Sequence, residues 1–306
     1  MTECERIIAE GILPKSFFEE EVRCDFLVTK ERKKIWAIEL DLLQKFDVEC
    51  RKYGLRYWLS AGSLLGAIRH GGFIPWDDDL DVEMPRADYE KFILMASEFA
   101  DPYFLQIPGE DAEYFYSFAK LRNSRTSAVS KKFAYSSMNQ GIFLDIFPVD
   151  EWDIADDKGY EYIDWLNKEN STFMRMNNPN LDQSDILRIE QWSKKSPIEV
   201  SREIQSTARK YEDTGRGYLL LAVCSVYPYQ KKVFHKSLYK DTLYVNFEGM
   251  RCPVPSGYEG ILSQLYGNYR EFPPVLERGV WHDGAVFNAD VPYKDIVKDI
   301  VNGGLL

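Results

Sequence analysis

Apolar residues between Lys30 and Tyr53 fall at Ile35, Ile38, Leu42, Phe46 and Cys50, with Leu43 and Val48 beside them. That spacing of three and four predicts a long helix with one buried face. Thr29 stands at a capping position and Gly54 at a left-handed stop. The next stretches have strand character. Leu55–Ser60 is rich in aromatics and Leu80–Met84 alternates apolar and acidic residues, with a short helix predicted between them over Leu64–Arg69. Ser63 is placed to cap that helix, whose first N–H groups could face a phosphate, and Gly71-Gly72 ends it. Ala87–Phe99 has helical spacing. Tyr103–Ile107, Tyr114–Leu121 and Gly141–Pro148 read as strands, with a polar stretch at Arg122–Ser127.

After Asp150 the pattern changes. Residues 156–225 read as mainly helical, with Pro179 and Pro197 as breaks and helices around Trp165–Phe173, Ile198–Tyr211 and Tyr218–Val226. Alternation returns over 243–254 around a turn at Glu248–Arg251. Gly257–Tyr266 reads as a helix ending at Gly267, and the tail beyond Pro273-Pro274 reads as irregular. Residues 1–29 give few signals. The chain therefore predicts an α+β fold: a mixed sheet flanked by helices, with a largely helical additional region. We divide it into an N-terminal extension (1–29), a core (30–150) and a helical region with C-terminal strands and tail packing on that core (151–306).

The chemistry concentrates at Trp76-Asp-Asp-Asp-Leu-Asp81. In an extended chain, residues two apart share a face. Asp79 and Asp81 then lie side by side, Asp77 sits near the strand entrance, and Asp78 and Leu80 turn away. Carboxylates so crowded cannot all ionise cheaply without a cation. Hard oxygen ligands suit Mg2+ or Mn2+. An acidic surface turn is the plain alternative, but Phe73, Ile74, Trp76, Leu80 and Val82 make the surroundings apolar. A calcium loop counted from Asp77 would need Gly at its sixth position and Glu at its twelfth, where Val82 and Asp88 stand. Asp145 is a lone acid inside the apolar run Gly141–Pro148, costly there unless paired or metal-bound.

Composition narrows the function. The chain has 306 residues, 45% of them apolar and 14% aromatic, which indicates a globular protein with ample core. A net charge of -11 disfavours non-specific contact with nucleic acid or anionic membrane. The five cysteines are scattered and form no C-x-x-C pair, so we expect reduced thiols and a cytoplasmic protein. No secretory signal or membrane-spanning run is evident, so membrane association would be at most peripheral.

The run Ala61–Asp81, followed by Met84-Pro-Arg-Ala-Asp-Tyr-Glu-Lys-Phe92, closely resembles the LicD family. The likeness continues at Phe118–Arg122, Gly141–Asp150, Tyr266-Gly267, Pro273-Pro274 and His282. Ser63 stands where that family usually has Thr. Those proteins transfer phosphocholine from CDP-choline to cell-surface glycans such as teichoic acid or lipopolysaccharide, and fukutin-type ribitol-phosphate transferases are distant relatives. The resemblance implies a nucleotidyltransferase-like core: a Gly-Ser turn (Gly62, Ser63), a D-x-D (Asp79, Asp81) and a third carboxylate on a later strand (Asp145).

It further implies in-line displacement at phosphorus with CMP leaving. Asp79, Asp81 and Asp145 would hold one or two Mg2+ (or Mn2+) ions, Asp145 being the third ligand, the base, or both. Gly62, Ser63, Arg69, His70, Lys120, Arg122 and His282 are candidate substrate-binding residues. The donor would be CDP-choline or another CDP-alcohol, and the acceptor a glycan or glycolipid, with acceptor choice expected in the helical acceptor-side region, where residues 155–240 carry none of the family's motifs. Three rival readings are a nucleotidyltransferase that moves the nucleotide half, a non-catalytic metal- or glycan-binding module, and a structural acidic protein.

Overall fold

The computed structural model describes residues 1–176, 178–192, 194–221, 228–279 and 284–303. The N-terminal segment carries more structure than its sequence signals. Helix α1 (Glu3–Ala9) is closed by a capping box between Thr2 and Glu5, and strands β1 (Glu21–Arg23) and β2 (Phe26–Val28) form a hairpin. Helix α2 (Lys30–Tyr53) has the predicted bounds, with Thr29 accepting from the Arg32 N–H and Gly54 in the left-handed conformation. Every residue from Trp36 to Leu43 is buried, because α2 runs through the middle of the molecule and packs on the central sheet.

Strand β3 (Trp58–Leu59), helix α3 (Ala61–His70) and strand β4 (Asp81–Pro85) follow. The predicted strand Leu55–Ser60 shrinks to two residues. Helix α3 starts three residues earlier than expected, with Ser60 at its cap, so Ser63 is not the capping residue. Helix α4 (Arg86–Ile93) stops short of Phe99, and a 3-10 turn covers Ala96–Glu98. Strands β5 (Tyr103–Gln106), β6 (Ala119–Asn123), β7 (Ser127–Ser130) and the eleven-residue β8 (Ile142–Trp152) complete this half. The predicted strand Tyr114–Leu121 is irregular until Ala119, where pairing with β5 and β8 begins.

Beyond residue 150 come α5 (Asp157–Arg175), α6 (Gln183–Gln191) and α7 (Pro197–Ala208). The predicted helix Tyr218–Val226 is wrong at its start: β9 (Tyr218–Leu220) pairs with the end of β8, and residues 222–227 lie outside the described residues. A short apolar run does not distinguish a helix from a buried strand, and here an open strand end captures it. Then come α8 (Tyr229–Lys232), β10 (Val233–His235), the hairpin β11 (Thr242–Phe247) and β12 (Met250–Pro255), and α9 (Tyr258–Tyr266). The tail is not irregular throughout. Strand β13 (Ala285–Asn288) pairs with β7, and α10 (Tyr293–Val301) buries Ile296 and Ile300 against Val129 and Ala134.

The main sheet is mixed and, among the described residues, seven-stranded, in the order β10-β9-β8-β4-β3 with β6 and β5 joined through β8. Beta-8 is its centre, parallel to β4 and antiparallel to β6 and β9. The larger core lies between this sheet and α2. A second core joins Phe118, Phe147 and Trp152 to Ile163 and Leu166 of α5 and Val200 and Ile204 of α7.

Candidate active site

Strand register brings the third carboxylate to the first pair. Asp81 of β4 lies opposite Asp145 of β8, and Asp145 lies opposite Lys120 of β6. Residues paired in register share a face of the sheet, so two acids and an ammonium stand in one row across three strands. The Lys120 ammonium donates to Asp145 Oδ1 at 2.5 Å and sits over the rings of Phe143 (3.6 Å), Tyr116 (4.5 Å) and Phe118 (5.2 Å). Burial pulls its pKa down to about 8 against the opposing pull of Asp145.

The start of the row is anchored by α3. The Asp81 N–H donates to Ser63 Oγ (2.8 Å), and Ser60 Oγ donates to Glu83 (2.9 Å). Ala61 opens α3 with a φ of 41°, an uncommon conformation for a side-chain-bearing residue and a mark of local strain. Asp77 approaches Gly62 so closely that a Cβ there would lie 2.8 Å from Asp77 Oδ2. Any side chain at position 62 would have to push the Asp77 carboxylate aside.

Residues 77–80 are not strand, because β4 begins at Asp81 after the turn at Pro75-Trp76. The alternation that would turn Asp78 away therefore does not apply to it. Asp77, Asp78 and Asp79 each offer an oxygen within 4.8 Å of the others. Burial and the neighbouring acids raise Asp77 well above the usual carboxylate range, and it shares a hydrogen bond with Asp79. Burial, then Asp79, Asp145 and Asp77, raises Asp81 likewise, against Lys120. Asp79 thus links the acidic turn to the Asp81–Asp145 row. Helix α2 backs the turn: the Arg32 guanidinium and Trp36 Nε1 (3.2 Å) both donate to the Asp77 carbonyl. Three residues on, Glu39 is 1% exposed with Oε2 unpartnered, and burial followed by the three acids raises its pKa far above normal.

Asp79, Asp81 and Asp145 line one cleft of about 1030 Å3, together with Asp77, Gly62 and Arg69. That volume is at the upper end of the ~300–1,000 Å3 typical of ligand sites. Aromatic side chains line it too, including Trp76, Tyr116, Phe118, Tyr269 and Phe272.

Residues 54–178 match the LicD/FKTN/FKRP nucleotidyltransferase domain. Over 257 residues the chain is 30% identical to the lipopolysaccharide cholinephosphotransferase LicD of Haemophilus influenzae, covering 79% of this chain and 92% of that protein. The chain belongs to the LicD family. A shorter stretch of 29 residues is 69% identical to ribitol 5-phosphate transferase FKRP of Homo sapiens and of Mus musculus, 10% of this chain and 6% of each of those proteins.

Of the residues singled out from the LicD resemblance, the fold gathers some and sets others aside. Arg69 lines the cleft, but its Nη1 donates to the Tyr269 and Glu271 carbonyls (3.0 Å each), so it ties α3 to the C-terminal segment. His70 packs behind it. Arg69 Nε donates to His70 Nε2 (2.9 Å), the ring stacks on Phe272, and burial beside Arg69 lowers its pKa to about 4. Ser63 is spent on Asp81. Arg122 is buried, donating to Gln106 (2.5 Å) and to the Gly141 carbonyl (2.8 Å), and does not reach the cleft. Lys120 acts on Asp145. His282 lies outside the described residues.

Sequence reasoning missed Glu39, the Asp78 contribution, and the cleft wall supplied by 115–118 and α5. The signal for Glu39 was partial: an acid between Ile38 and Leu40 on the helix is visible in the sequence, but the burial that gives it a polar reason is not.

Proposed function

We propose that this chain transfers phosphocholine from CDP-choline to a hydroxyl of a cell-surface glycan such as lipopolysaccharide or teichoic acid, releasing CMP. The observation that carries this reading is the meeting of Asp79, Asp81 and Asp145, from separate stretches, in one cleft. The near full-length likeness to a lipopolysaccharide cholinephosphotransferase supports the transferred group and the acceptor class. The aromatic lining supports a quaternary ammonium head group, which rings hold by cation–π attraction.

The chemistry of the donor set suits a hard divalent ion, and Asp79 also belongs to the cluster Asp77–Asp79, whose oxygens are the ones that approach within 4.8 Å of one another among the described residues. Asp79, Asp81 and Asp145 offer carboxylate oxygens, and burial first, then the neighbouring acids, raises Asp77 and Asp81, a double cost to their charged forms that a cation would relieve. Bound there, Mg2+ or Mn2+ would neutralise charge on the diphosphate as the P–O bond to CMP breaks. Asp145 serves as a ligand, as the base that takes the acceptor hydroxyl proton, or as both, and Lys120 fixes its orientation. The N–H groups at the start of α3, beside Gly62, face phosphate oxygens. Four of the cysteines, Cys4, Cys24, Cys50 and Cys252, are free thiols, which suits a cytoplasmic enzyme. Among the described residues no helix is long and apolar enough to cross a membrane, and any membrane association we propose is peripheral.

The test is incubation of the purified chain with Mg2+, deacylated lipopolysaccharide and, in turn, CDP-choline, CDP-ribitol and CDP-glycerol. The expected products with CDP-choline are CMP and a glycan bearing phosphocholine, and a chelator should abolish both. Turnover with CDP-ribitol alone would reassign the head group, in line with the short FKRP match. Nucleotide on the acceptor would establish the nucleotidyltransferase reading instead, and no CMP with any donor would overturn transfer altogether.

A further inference from the structure

One part of the cleft is polar without being acidic alone. Asp164, Asn167, Lys168 and Ser171 all line it, and all come from α5. Their spacing of three, four and seven places them on one face of that helix. The apolar side of the same helix, with Ile163 and Leu166, is committed to the second core, so this stripe is held rigidly at the cleft.

Its members are only partly satisfied. Asn167 Oδ1 accepts from Ser117 Oγ (3.1 Å), and Ser117 lines the same cleft. Asn167 Nδ2 is buried and has no partner. A buried amide donor without an acceptor is uncommon and costly, and it marks a place where an acceptor oxygen is missing. Lys168 pairs with Asp164 at 2.6 Å but remains 67% exposed. Besides Arg69, already committed to two carbonyls, Lys168 is the basic side chain among the described cleft residues.

We propose that this α5 face, with Ser117, is the acceptor subsite and that it binds a hydroxyl-rich glycan. The inference rests on the transferase reading above and deepens it. Side chains with both donors and acceptors, fixed on a helix, match vicinal sugar hydroxyls. A turn of the Asn167 side chain, which lines the cleft, brings its unpartnered amide N–H to a hydroxyl oxygen, the Asp164 carboxylate takes a hydroxyl hydrogen, and Lys168 tolerates an anionic substituent in a cleft otherwise rich in carboxylates. The carboxylate row and the aromatic residues remain for the donor.

The test reads binding without turnover. Deacylated lipopolysaccharide oligosaccharide, and separately a teichoic-acid oligomer, is titrated into the full chain without donor and followed by saturation-transfer NMR. The wild-type chain should bind at least one of the two. Asn167→Ala and Lys168→Ala should each weaken that binding about tenfold, whereas Glu161→Ala, on the exposed side of the same helix, should leave it unchanged. Thermal melting accompanies each variant. Lys168→Ala, altering an exposed side chain, carries the test if Asn167→Ala melts early. Equal affinity in the variants, or no glycan binding by the wild type, would overturn the proposal. Because no donor is present, failure here leaves the transferase reading intact, and failure of the donor panel leaves this binding result intact.

Discussion

Replacing Asp145 by Asn separates its chemistry from its structural service to Lys120. The change preserves shape but removes the counter-charge of an ammonium whose side chain is 3% exposed. Removing one partner of a buried pair costs about 3–5 kcal/mol. The three rings around Lys120 face it in both proteins and leave its ammonium partly compensated once the carboxylate is gone, so the lower end, about 3 kcal/mol, is expected. At roughly 2 °C per kcal/mol for a chain this long, Tm should fall by about 6 °C. The loss should be greater at pH 6 than at pH 9. A lysine with a depressed folded pKa binds fewer protons than in the unfolded chain, so stability rises with pH up to its unfolded value. Adding Lys120→Met removes the stranded charge and should restore stability to within about 1 kcal/mol. Activity should not follow: CMP release should stay about 10²–10³-fold below wild type in both variants, the scale for loss of one preorganised group acting on developing charge. Calorimetry and a CMP-release assay on the single and double variants decide it. Recovery of activity along with stability would show that Asp145 supports the fold and not the reaction.

Three further outcomes follow from the same geometry. Gly62→Ala would press a methyl group against Asp77 Oδ2 and displace that acid, so turnover should drop by about 10²-fold while Tm holds or rises slightly. Arg86 grips Asp150 through two bonds of 2.6 and 2.7 Å between buried side chains, so Arg86→Met should cost about 3–5 kcal/mol in chemical denaturation, and adding Asp150→Leu should recover most of it. His70, with its pKa lowered to about 4 by burial and Arg69, is neutral in the folded chain. The unfolded chain binds more protons between about pH 6.5 and 4, so stability should fall through that window with a slope of at most about 1.4 kcal/mol per unit. His70→Phe should flatten that part of the stability curve, and an unchanged slope would place the titration elsewhere.

The local code determined a good deal. Thr29, the apolar stripe and Gly54 bounded α2 to the residue, because caps and periodicity act within a few residues of themselves. The D-x-D and the lone acid in Gly141–Pro148 were likewise legible, since each is an anomaly against its own neighbours, whereas Gly62-Ser63 reads as a turn before the helix and lies inside α3. What the sequence could not decide was partnership. That Asp145 lies between Asp81 and Lys120 is a fact of strand register, and register is set by which edges meet. The same holds for Tyr218–Leu220, drawn into a strand by the free end of β8, and for β13, paired with β7 across more than a hundred residues. Arg122 and His70 read as candidate substrate-binding residues and prove to be packing partners, Arg122 buried and His70 half-buried, because burial depends on what packs over a residue from elsewhere in the chain. Glu39 gained its meaning only when α2 was laid against the acidic turn. Short-range chemistry is written in neighbouring residues, whereas desolvation and charge coupling arise between groups distant in sequence, and only the folded chain brings them within reach.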